Sequence, residues 1–213
     1  MNGKKISGRT LKLTQMAILF AIMLLMAFTP LGFFKTAGVE ISFLMIPVVV
    51  GAIVMGPVAG LILGAFFGLL SFIQCFGFSF FGGTLLGINP YFTFILCMIP
   101  RLLMGWLTGL IFKGLYRIDK TKWISFGVAS LSGALLNTIF FVGGLFLLFG
   151  RTEFIMGLRG GMNLIAFAAA FVGTNGVIEA IVCFVVGTAL SKVLVHFLPS
   201  QQRAAQTAEK KGG

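Results

Sequence analysis

The run from Pro90 to Phe112, PYFTFILCMIPRLLMGWLTGLIF, is long enough to cross a lipid bilayer and holds a single charge, Arg101. About 20 apolar residues suffice for one crossing. A guanidinium at that depth costs at least about 2.5–3.5 kcal/mol, and its default reading is a functional group facing a polar pocket. Comparable runs fill the chain. With 58% hydrophobic and 10% charged residues, there is too little polar side chain to coat a water-soluble globule. The 213 residues accommodate about six spans with short loops.

The expected fold is an all-α integral membrane protein with six transmembrane helices: Leu11–Phe28, Ile41–Met55, Pro57–Cys75, Pro90–Tyr116, Trp123–Gly150 and Asn163–Phe197. Residues 1–10 and 198–213 form tails on either side of one membrane domain, 11–197. Only Gly56-Pro57 joins the second span to the third, which makes them antiparallel neighbours. The second is short, so it is tilted, kinked at Pro47, or flanked by a loop that dips into the membrane.

Charge sets the orientation. Lys4, Lys5, Arg9 and Lys12, then Lys113, Arg117, Lys120 and Lys122, then Lys192, Arg203, Lys210 and Lys211 fall on one side. The other side has Lys35, Arg151 and Arg159. The positive-inside rule therefore places both termini in the cytoplasm and accounts for the net charge of +11 without nucleic acid. No small-x-small cleavage site follows the first apolar run cleanly, so it is read as a retained helix rather than a signal peptide.

Small residues repeat at four-residue spacing. Gly60, Gly64 and Gly68 on the third span, and Gly105 and Gly109 on the fourth, form flat faces for close internal packing. Ala17 and Ala21 make a similar strip on the first span, open to either an internal contact or another membrane subunit. Cys75, Cys97 and Cys183 lie in apolar runs without metal-ligand spacing and are read as buried packing residues.

The polar residues within the spans are Gln74, Asn89, Tyr91, Asn137, Asn175 and Glu179, and the last two share a helix face. By topology Asn89 and Tyr91 lie near the outer surface and Arg101 about 16 Å below Pro90. Together they describe a cavity opening outward. Each has a structural alternative: Asn137 bonding across helices, Glu179 neutralising Arg101 or remaining protonated, Arg101 capping backbone carbonyls. If Arg101 meets a ligand, its planar fork suits a carboxylate or phosphate, and the amides suit hydroxyls or amides on the same small anion. Catalysis is not supported. His196 and Asp119 assemble no triad, carboxylate dyad or metal cluster, and no P-loop is present, so a pump built on this chain needs a separate motor. No metal or cofactor is expected.

At this point the sequence resembles a known family. The AxxxA strip, the first external loop TPLGFFKTAGVEISF, the stretch from Ile46 matching IPxxxGxxxxGPxxGxxxGxxxGLxS, and Pro100-Arg101 look like the substrate-binding S component of energy-coupling factor (ECF) vitamin transporters. TPLGF, the IPR on the fourth span and LLNTIFFVGGLFLLFG on the fifth look most like its pantothenate-specific members. The resemblance implies a high-affinity substrate-binding subunit in a prokaryotic plasma membrane, not an enzyme. Arg101 would clamp the vitamin's carboxylate and Asn137 its hydroxyl or amide end, with Gln74, Asn89 and Asn175 as weaker contacts. It implies a lid over Thr29–Glu40, with Gly32, Lys35 and Gly38, and docking through Ala17 and Ala21 onto a membrane coupling subunit served by two ATPase subunits. The stretch Phe76–Ile88 is expected as a loop. Other readings are an S component for riboflavin, folate or a thiamin precursor, or a self-sufficient secondary transporter of a small organic anion; no internal duplication favours the latter.

Overall fold

A computed structural model of the chain describes residues 8–29, 33–36, 39–119, 123–163, 166, 169 and 176–197. The first helix, α1 (Gly8–Ala27), is followed by two short strands, β1 (Phe33–Thr36) and β2 (Val39–Ser42). Next come α2 (Met45–Met55), α3 (Pro57–Gln74), α4 (Phe80–Ile88), α5 (Pro90–Ile118), α6 (Ile124–Phe149) and α7 (Glu153–Arg159). The last helix, α8 (residues 176–197), carries a π-helical turn at Cys183–Gly187.

The structure is predominantly helical, as expected, with one short hairpin beside the helices. The strands pair antiparallel, with Phe33 opposite Ser42 and Lys35 opposite Glu40. The second expected span therefore loses its first residues to β2, because Ile41 and Ser42 pair with the preceding strand. What remains is an eleven-residue helix with Met45 through Ile53 all buried. At about 1.5 Å per residue it reaches roughly half of a 30 Å hydrocarbon core. Pro47 lies in its first turn, where a missing N–H costs no helical bond, so it has no kink to produce. Five other described helices are long and apolar enough to cross a membrane: Thr10–Ala27, Pro57–Gln74, Pro90–Ile118, Ile124–Phe149 and Gly176–Val195.

The stretch expected as a loop after α3 also differs, since it contains α4. Ser79 starts this helix by accepting the Gly82 N–H at 3.0 Å. Asn89 then serves two helices. It closes α4 through its own amide and opens α5 by accepting the Phe92 N–H at 3.1 Å, with Pro90 at the first helical position.

The α3–α5 contact organises the bundle. A Cβ on Gly60 would collide with the carbonyl of Gly105, and one on Gly64 with the carbonyl of Arg101. On Gly68 it would come within 2.9 Å of the Cys97 carbonyl, and on Gly109 within 2.6 Å of Pro57 Cα. The two glycine faces thus meet each other, backbone to backbone and antiparallel. Gly56, at φ 98°, makes the reversal between α2 and α3 in a region that L side chains rarely adopt. Most of α1 is uncovered; in its span only Met23 and Ala27 are buried hydrophobics, and Ala17 and Ala21 are both exposed.

Candidate functional site

Proline at position 100 has no N–H to give the carbonyl four residues earlier, so α5 carries an orphaned acceptor at Leu96. The Arg101 side chain turns back and its Nη1 donates to that carbonyl at 2.8 Å. The Pro-Arg pair is thus self-consistent: one residue opens the helix ladder and the next closes it with a cation. The charge is 8% exposed and packs against aromatic rings, 4.7 Å from the Phe141 centroid and 5.4 Å from that of Phe67. Its Nε is buried without a hydrogen-bond partner.

Arg101 lines a cavity of about 110 Å³ with Gln74, Asn137 and Glu179. Its walls are the end of α3, α4, the first half of α5, the second half of α6, the start of α8, and Ser42 at the end of the hairpin. All these lie at the end of the bundle where α1 and α3 finish, opposite the end where α1 begins and α8 closes. Phe81, Leu85, Leu96, Phe141 and Val142 make the apolar part of the lining. The floor is polar, and several of its groups hold the scaffold. Gln74 Nε2 donates to the Ala27 carbonyl at 2.7 Å, fastening α3 to α1. Glu179 Oε1 accepts the Ser42 N–H at 2.9 Å, fastening the hairpin's last residue to α8. Asn137 is 6% exposed, and its Oδ1 has no partner.

Four of the expected site residues, Arg101, Asn137, Gln74 and Glu179, therefore line one cavity. Asn89 is occupied as a helix cap, and Tyr91 is 81% exposed; neither lines it. Asn175, Gly32 and Gly38 lie outside the described residues, and of Lys35 only the strand backbone is described. Ser42, Ser71, Ser79 and Thr138, which sequence reasoning passed over, also line the cavity, as do Cys75 and Cys97, which are buried as expected. Of these only Ser79 carried a signal, a cap residue ahead of a helix. Asp119, set aside for catalysis, has a structural use: its Oδ2 accepts from both the backbone N–H and the hydroxyl of Ser125 at 2.8 Å. Among the described residues no group of His, Cys, Asp and Glu is placed to hold a metal ion.

The profile of the ECF transporter substrate-specific component matches residues 11–191. The chain belongs to this family. Its kind is a substrate-binding component of a transporter, not an enzyme, which agrees with the apolar helices of a membrane protein. Among curated proteins, the chain is 31% identical over 167 residues to the pantothenic acid transporter PanT of Lactococcus lactis subsp. cremoris, covering 73% of this chain and 78% of that one. It is 28% identical over 207 residues to the pantothenate transporter PanT of Leuconostoc mesenteroides subsp. mesenteroides, covering 93% and 97%.

Proposed function

We propose that this S component binds pantothenate in the Arg101 cavity and delivers it to an ATP-driven ECF importer. The observation that carries the reading is a buried guanidinium with one nitrogen committed to Leu96 and its Nε edge unpartnered, in a cavity shared with an unpartnered amide oxygen. A buried cation in this state favours an anionic ligand, and a planar fork favours a carboxylate. Pantothenate has one carboxylate, an amide and hydroxyl groups. Its carboxylate takes the free edge of Arg101, and Asn137 Oδ1 accepts from a hydroxyl or the amide N–H. Phe141 and Val142 then cover the aliphatic part. The names of the two relatives support the same substrate.

Termini in the cytoplasm put the cavity at the outer face of the cell membrane, with α2 completing six membrane passages despite its short length. The hairpin β1–β2 then lies over the mouth as a lid, held at Ser42 by Glu179. The exposed alanines of α1 form the flat strip by which the subunit docks on a membrane coupling subunit, whose two ATPase partners drive the cycle. Titration of purified protein with pantothenate in a calorimeter tests the reading. Saturable binding with one ligand per chain supports it, and no heat above the dilution signal contradicts it.

A further inference from the structure

Two thiols face each other in the wall of the cavity. Cys75 closes α3, and Cys97 lies one helical turn before Arg101 on the same face of α5. Their Sγ atoms are 3.9 Å apart, both side chains are 5% exposed, and both line the cavity. Cys183, the third cysteine, is elsewhere: its Sγ donates to the Ser130 carbonyl at 3.3 Å in the α6–α8 contact. The contacts proposed for pantothenate at Arg101 and Asn137 leave the pair unused.

A disulfide needs the sulfurs at about 2.05 Å, so the two atoms are about 2 Å from bonding. Cys75 begins the turn that passes through Gly77 at φ 125°, and its Sγ donates to the Ser71 carbonyl at 3.3 Å. Its Sγ is also keyed to α4, since a Cβ on Gly82 would lie only 2.6 Å from it. Drawing this sulfur toward Cys97 takes it out of that contact with α4, the helix that walls the cavity beside Gln74.

We propose that Cys75 and Cys97 are an oxidisable pair within the substrate cavity, closed to a disulfide by small disulfide-class oxidants, and that closure lowers affinity for substrate. One thiol loses its proton and attacks a sulfur of the oxidant RSSR, breaking its S–S bond and releasing one RSH. The second thiol attacks the mixed disulfide, forms the Cys75–Cys97 bond and releases the second RSH. Two electrons and two protons pass to the oxidant. The consequence for affinity rests on the reading of this cavity as the pantothenate site, and bound pantothenate slows the reaction by filling the same space.

The test treats the purified full chain with hydroxyethyl disulfide and reads two quantities. Non-reducing peptide mass spectrometry should find residues 75 and 97 cross-linked, with two hydrogens lost. The pantothenate Kd should rise at least tenfold and return after dithiothreitol. Cys75→Ser and Cys97→Ser should show no cross-link and stop at the mixed disulfide with the oxidant, whereas Cys183→Ser should cross-link and lose affinity as the wild type does. An absent cross-link in the wild type overturns the proposal, as does a cross-link with unchanged Kd or a cross-link lost in Cys183→Ser. If untreated protein binds no pantothenate, the functional reading fails and takes the affinity claim with it, while the cross-link is still decided by mass.

Discussion

The Arg101 guanidinium caps the carbonyl of Leu96 at 2.8 Å, the acceptor that Pro100 leaves unpaired. A structural duty and an expected binding duty thus fall on one side chain, and they can be separated. Arg101→Ala re-exposes a buried acceptor, at a cost of about 1–3 kcal/mol. Pro100→Ala restores the helical N–H at that position. The double variant Pro100→Ala/Arg101→Ala should therefore unfold at a higher temperature in detergent than Arg101→Ala, yet bind pantothenate no better. Equal unfolding temperatures would show that the cap contributes nothing.

Gly64 packs where a side chain would strike the carbonyl of Arg101. Gly64→Leu should destabilise the protein by about 1–3 kcal/mol, as overpacking does, and should also weaken binding because α5 is pushed away at the residue that faces the cavity. Gly87→Ala is the control, with nothing within 4 Å of its added methyl. Thermal unfolding and calorimetry on the pair decide it. Loss of stability without loss of affinity would detach the glycine contact from the site.

Glu179 joins the hairpin to α8 by accepting the Ser42 amide at 2.9 Å. Glu179→Gln keeps an acceptor oxygen and should hold the hairpin, whereas Glu179→Ala should release it. Hydrogen exchange of a peptide covering residues 39–45 should be faster in Glu179→Ala than in wild type and near wild type in Glu179→Gln. Unchanged exchange in the alanine variant removes the latch.

How much of this was legible in advance varied with the kind of signal. The buried arginine and the glycine spacing of α3 and α5 could be read because a charge in an apolar run and a four-residue repeat are each rare without a reason. Helix α4 could not: FFGGTLLGI has three glycines, which argue against a helix, and its start is carried by the Ser79 cap alone. Ser42 and the cysteine pair were invisible for a different reason. They come together across 137 residues in one case and 22 in the other, and no local pattern encodes such meetings.

The exposed Ala17 and Ala21 on α1 predict a separation between binding and transport. Ala17→Trp adds bulk to a face that touches little of the chain itself, so affinity of the purified subunit should stay within about twofold of wild type, as surface changes usually cost less than 0.5 kcal/mol. Uptake by cells that also contain the coupling subunits should fall to background. Full uptake in that variant would place the docking face elsewhere.

The central claim is that Arg101 selects for a carboxylate, and comparing pantothenate with pantothenol, its neutral alcohol analogue, tests it most directly. In wild type, calorimetry should show pantothenate favoured by at least about thirtyfold, since an unpaired buried charge costs about 2–5 kcal/mol. In Arg101→Ala this preference should vanish. Equal affinity for both compounds in wild type, or a preference for pantothenate that persists in Arg101→Ala, would contradict the account.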